Sequence, residues 1–178
     1  MLEIELVKPN LMHEIQALEY LKEHEAINEF HLHGGALLEK SKSFEQWLNQ
    51  LAQNSEKSTV NKDWVQSSTF FAIRKSDDEI IGMVDIRHEL NDFLKSYGGH
   101  LGIGIRPKER NKGYAKEITK LAIQYCKEIG LTKIMVACYK DNVKSRNVIL
   151  DCGGILEKEF IHSDKKVVQV FWISDSNC

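Results

Sequence analysis

Residues His100 to Cys138, HLGIGIRPKERNKGYAKEITKLAIQYCKEIGLTKIMVAC, leave this chain few ways to fold. His100 to Ile105 reads as a short strand, and Pro107 breaks it because proline cannot donate to a sheet ladder. Tyr114, Ile118, Leu121, Ala122, Tyr125 and Ile129 then recur at helical spacing, and Gly130 is a natural stop. Leu131 to Cys138 is a continuous apolar run of the kind a buried strand carries. A strand, a helix and a strand in close succession predict a parallel pair joined by a right-handed crossover.

The rest of the chain has to build around that unit. Leu2 to Lys8 alternates and stops at Pro9, a first strand. Leu11, Ile15, Leu18 and Leu21 follow a helical stripe with charges between them, and Phe44, Trp47, Leu48 and Leu51 predict a second helix. HLHGG between them reads as a loop at Gly34 and Gly35, and Gln53 to Asp63 as a surface connection. Thr69 to Lys75 and Ile80 to His88 form a hairpin across the turn SDDE. After Cys138, DNVKSRNVILDCGG predicts a short helix, and two closing strands lie near Ile155 to Ile161 and Val167 to Ile173. This order predicts one α/β domain over residues 1–178, with residues 1–66 mainly helical and residues 67–178 forming the core. The expected architecture is a mixed, mostly antiparallel twisted sheet with a central parallel, splayed strand pair and helices on both faces.

Composition narrows the partners. A formal net charge of −2 gives no bulk electrostatic reason to expect nucleic acid. No run approaches the roughly 18 apolar residues of a membrane span, and MLEIELVKPN is acidic where a secretory leader is basic, so a cytoplasmic protein is expected. Cys126, Cys138, Cys152 and Cys178 show no C-x-x-C spacing and read as buried reduced thiols. His24 lacks the second histidine of a zinc-protease helix, and His31 with His33 lacks an obvious third ligand, so no metal site is expected.

The junction RNKGYA, Arg110 to Ala115, carries the chemistry. A helix N-terminus presents unpaired N–H groups and partial positive charge, which makes it an anion site. Gly113 removes the side chain that would hold a phosphate off the backbone, Ala115 keeps the first turn narrow, and Arg110 and Lys112 add cations. The arrangement suits a pyrophosphate; six letters alone are also met by a turn with solvated cations.

IGIRPKERNKGYAKEITKLAIQYCKEIGLTKIMVAC followed by DNVKSRNVILDCGG resembles the core of the GNAT superfamily of N-acetyltransferases. Arg110, Gly113 and Ala115 match that family's Arg/Gln-x-x-Gly-x-Gly/Ala signature, and Asn142 and Ser145 match its Asn-x-x-Ser/Ala helix; similarity extends over about Thr69 to Ile173. The resemblance implies acetyl-CoA as cofactor. Main-chain groups of Ile103 and Ile105 would pair with the pantetheine arm like an added strand. Amides from Arg110, Asn111, Lys112, Gly113, Tyr114 and Ala115 would bind the pyrophosphate, and Asn142 and Ser145 would lie along the arm. Ser145 could equally cap its own helix. The implied partner is a small-molecule or peptide amine, and a homodimer is compatible with this reading.

Relatives of this kind transfer acetyl directly to a neutral amine, so a base must take a proton. They often carry a glutamate near the start of the strand before the motif, where this chain reads GGHLG. His100, with an unperturbed pKa of about 6.5, and Glu89 are the candidate catalytic residues, though each is also accounted for by a solvated or structurally bonded side chain. The tyrosine that relatives often use to protonate the leaving thiolate is replaced by Ile149; Tyr139 is nearby in sequence, but a CoA thiolate is a modest base that need not have a dedicated acid, and none is assigned. Acceptors are expected to enter between the N-terminal helices and the connection Glu89 to Gly99. Without those two residues, the alternative is a non-catalytic acyl-CoA-binding regulatory module. A dinucleotide-binding domain fits poorly, since G-x-G-x-x-G is absent near the first strand.

Overall fold

The computed structural model describes residues 3–174; Met1, Leu2 and the four residues from 175, including Cys178, lie outside them. Seven strands and four α-helices follow in the order β1 (Ile4–Val7), α1 (Glu14–Glu25), α2 (Phe44–Asn54), β2 (Ser67–Arg74), β3 (Glu79–Arg87), β4 (Leu101–Ile105), α3 (Tyr114–Glu128), β5 (Lys133–Tyr139), α4 (Val143–Asp151), β6 (Ile155–Ile161) and β7 (Val167–Ser174). No helix among the described residues is long and apolar enough to cross a membrane.

The fold is mixed α/β, and its strands form two antiparallel sheets rather than one mixed sheet: β1-β2-β3-β4 and β5-β7-β6. No ladder joins β4 to β5 among the described residues. Where a parallel ladder between them would start, His100 intervenes. Its backbone N–H donates to Met135 O at 2.8 Å, and its ring Nδ1 accepts the Met135 N–H at 2.9 Å. A side chain therefore takes the place of a strand carbonyl, and regular pairing has nothing to continue from. Gly99 makes this approach feasible: φ is +64°, and a Cβ there would lie 2.6 Å from Met135 O.

The main core fills the space between both sheets and α3, with Ile118, Ala122 and Cys126 of the helix packing against Ile81, Val84, Ile134 and Phe171. Trp47, Phe71, Tyr20 and Met83 centre a second core on the other face of the first sheet. Cys126, Cys138 and Cys152 are buried and are not disulfide-bonded. The helix expected from the Leu11 to Leu21 spacing forms, but of that stripe Leu21 packs on the second core while its start faces solvent. Leu11 is 63% and Ile15 74% exposed, while Ala17, Tyr20 and His24 turn inward. The inward face carries a phenol and an imidazole because it meets the charged residues that follow β4, a requirement that apolar spacing cannot register.

Candidate active site

β4 is the last strand of its sheet, so one of its edges is open. Arg87 N–H bonds His100 O and Arg106 N–H bonds Ile81 O, both at 2.8 Å, which sets the alternation of the antiparallel ladder. Gly102 and Gly104 therefore bond toward β3, and Leu101, Ile103 and Ile105 turn their amides and carbonyls to the open edge. Ile105 O is already engaged, accepting from Arg110 Nε at 3.2 Å. The open groups that remain are those of Leu101 and Ile103 and the amide of Ile105.

Past β4 the chain makes a short turn over Pro107–Glu109 and enters α3 through Gly113, whose φ of +89° lies in the left-handed region. No side chain caps this end. The first amides of α3 thus keep the unpaired donors and positive dipole end of a bare N-terminus. Asn111, with φ of +63°, also turns left-handed in the approach. Tyr114 is buried, with its hydroxyl accepting from Arg74 at 3.1 Å, which anchors the first turn. Ala115 adds little bulk beside it.

The cations of the motif do not stand free. Arg110 forms a fork on Glu29, at 2.7 and 2.5 Å, and Lys112 donates to Glu109 at 3.0 Å. Glu109 is buried and also receives Arg74. Arg110 before all else, with His24 adding to it, holds the Glu29 carboxyl down to about 2. With both cations paired, what the α3 terminus itself offers unpaired is backbone amides and the positive end of the helix dipole. Sequence reasoning missed Glu29 because it lies 81 residues from Arg110, in a segment with no motif of its own.

At the second motif, Asn142 is the N-cap of α4, its side chain accepting from Ser145 N–H at 3.2 Å. Asn142 therefore does the capping, and Ser145 supplies the backbone N–H that is capped. Tyr139 projects from β5 and donates to Asp164 at 2.8 Å.

His100 is buried, and burial, with the Arg87 guanidinium nearby, pushes its pKa down to about 4. Since Nδ1 accepts the Met135 amide, the neutral ring carries its proton on Nε2. A ring so placed joins two sheets and has no nitrogen free to accept a proton. Glu89 is exposed in the connection after β3, and no hydrogen bond of its side chain occurs among the described residues. The structure brings the β4 edge, the α3 terminus and Arg110 together, and leaves Glu89 in solvent.

Comparison with known proteins bears on the family and the fold. A family profile described as an acetyltransferase (GNAT) domain matches residues 6–155. An uncharacterized N-acetyltransferase, YnaD of Bacillus subtilis (strain 168), is 29% identical over 106 residues, covering 57% of this chain and 58% of that protein. The chain thus matches less than two thirds of that relative's length. Among solved structures, MccE, a Microcin C7 self-immunity acetyltransferase in complex with acetyl-CoA and AMP, superposes with a TM-score of 0.70 at 18% identity, covering 97% of this chain and 92% of its own. Mutant forms of the Vibrio cholerae spermidine/spermine N-acetyltransferase SpeG give 0.65 at 18% identity, covering 97% and 94%. At such identities the likeness is one of fold.

Proposed function

We propose, from the premise that this chain belongs to the GNAT acetyltransferase family, that it is an acetyl-CoA-dependent N-acetyltransferase acting on primary amines by direct transfer. The observation that carries this reading is the uncapped, left-handed entry to α3 at Gly113, standing directly beyond the open edge of β4. We read residues 1–178 as one such domain, with β4 and β5 as its splayed pair, held together at His100 and Met135.

In this reading the amides from Arg110 to Ala115 hold the pyrophosphate, and Ile103 with the Ile105 amide receives the pantetheine arm. Asn142 and Ser145 border the arm farther along. Acetyl-CoA supplies an acyl carbon activated by its thioester. An outward amide of β4 can stabilise the developing oxyanion. In direct transfer the amine nitrogen would bond to that carbon as the carbon–sulfur bond breaks, with CoA leaving as its thiolate and the amine's proton passing to a base. Between the two candidates, Glu89 suits that role better than His100, whose Nδ1 is engaged and whose ring stays neutral near pH 7. The spermidine/spermine activity of SpeG makes polyamines the first amines to try.

Calorimetry with CoA and a thiol-release assay over an amine panel test the proposal together. The parent should bind CoA and release thiol with at least one amine. Gly113→Glu should abolish CoA binding by setting bulk and negative charge against the phosphates. Gly113→Ala carries the same left-handed strain, about 1 kcal/mol, without the charge and separates the two effects. Unchanged affinity in Gly113→Glu overturns the placement. CoA binding without turnover across the panel would favour the acyl-CoA-binding module.

A further inference from the structure

Arg110 is the residue of the motif whose charge most invites a phosphate, yet the structure commits that charge elsewhere. Its Nε donates to Ile105 O at 3.2 Å, while its terminal nitrogens close a fork on Glu29 at 2.7 and 2.5 Å. A planar guanidinium held at three points cannot turn to a phosphate without giving up its partners.

Glu29 is anchored in turn. Its Oε2 accepts from His24 Nδ1 at 2.9 Å. His24 is buried near the end of α1, with its ring 4.7 Å from that of Tyr20. The same stretch of chain lies tight on β4. A Cβ at Gly104 would come 2.3 Å from His33 O and 3.2 Å from the Tyr20 hydroxyl. One guanidinium thus ties together the end of the open β4 edge, the loop before α3, and the segment linking α1 to α2.

We propose that Glu29 is a positioning residue for the coenzyme. Acting through Arg110, it holds the loop that aims the α3 amides, and it closes the open edge of β4 at the Ile105 carbonyl. Arg110 is a staple and not a phosphate ligand. This rests on the coenzyme placement proposed above.

The two roles for Arg110 predict opposite signs. Were Arg110 a phosphate ligand, neutralising Glu29 would free its charge, and CoA would bind as well or better. As a staple, Arg110 needs Glu29, so Glu29→Gln weakens binding. Calorimetry with CoA on the full chain reads this directly. Glu29→Gln and Arg110→Gln should each raise Kd by roughly tenfold, and the double variant should be no worse than the weaker single. The dependence of Kd on salt should stay parental in Arg110→Gln, since no phosphate contact is lost. In turnover, Glu29→Gln should raise KM for acetyl-CoA and leave kcat near the parent's.

Arg110→Lys keeps the charge and loses the fork, so it should behave like Arg110→Gln; it also carries the test should Glu29→Gln fail to fold. Parental or tighter affinity in Glu29→Gln, additive losses in the double variant, or full affinity in Arg110→Lys would overturn the staple. If Gly113→Glu binds CoA normally, the coenzyme placement itself fails. If Gly113→Glu is inactive in binding while Glu29→Gln and Arg110→Lys match the parent, only the role of Glu29 fails.

Discussion

Replacing Gly104 by alanine tests how the segment after α1 is seated on β4. Gly104 is not in the left-handed region, so its backbone would accept a side chain; space is the obstacle. An added Cβ would sit 2.3 Å from His33 O, against a normal carbon–oxygen contact of roughly 3.3 Å. About 1 Å of movement is needed, and the neighbours resist it. Gly35 N–H bonds Leu32 O at 3.0 Å, and Trp47 Nε1 donates to Gly35 O at 2.9 Å, fixing the turn. On the far side, Gly34 already sits so close that its own Cβ would meet Met83 O at 2.3 Å. Overpacking of this kind costs about 2–3 kcal/mol. For a chain of this length that is a fall in Tm of about 4–12 °C.

Two companions calibrate the result. Gly130→Ala adds a methyl where nothing lies within 4 Å, but at φ of +87°, so it should cost about 1 kcal/mol from backbone strain alone. Gly102→Ala would meet Arg87 Nη2 at 3.1 Å, which asks for only a few tenths of an ångström of movement, and should cost less than about 1 kcal/mol. Thermal unfolding followed by circular dichroism should rank the losses Gly104, Gly130, Gly102. A Gly104→Ala protein melting within about 1 °C of the parent, or above Gly130→Ala, would refute the close seating.

His100 should also set part of the acid limit of stability. Its folded pKa of about 4 lies below the unfolded value of about 6.5, so the unfolded chain binds the extra proton between these pH values and stability falls as pH drops through them. That share is up to about 3 kcal/mol; His100→Ala should lose it, while the lowered His24, His33 and His88 keep some acid sensitivity. Denaturant titrations at several pH values that give parallel curves for parent and variant would exclude this role. At neutral pH the same variant leaves the buried Met135 amide without its acceptor, for a loss of about 1–3 kcal/mol. Asn142→Ala should cost about 1 kcal/mol through the lost α4 cap and should also weaken CoA binding. Reduced stability with parental CoA affinity would leave Asn142 a cap and nothing more.

Several features were legible in the sequence because they depend on neighbours in the chain. The hairpin of β2 and β3 follows from two apolar runs and the turn between them, and α3 follows from one apolar stripe between Gly113 and Gly130. The α4 cap lies within the same helical turn as its target. Where partners are distant, local pattern misled. In α1 the apolar spacing does not tell which residues turn inward: Ile15 is exposed, Leu21 packs on the second core, and Tyr20 and His24 are buried. Arg110 and Lys112 stand beside an anion site in the chain and are paired with Glu29 and Glu109 in space.

By itself, the sequence determined which segments become strands and helices, and that a bare helix N-terminus follows a glycine a short turn beyond a strand. Those outcomes rest on backbone sterics, hydrogen-bond supply and apolar periodicity, which act over a few residues. Only the tertiary structure decided that the strands divide into two sheets around His100 and Met135, that the edge of β4 stays open at Ile103, and that Glu29 holds Arg110. Each of those depends on which unpaired donors, acceptors and charges meet once the chain is compact, and that meeting is fixed by distance in space, to which sequence spacing is blind.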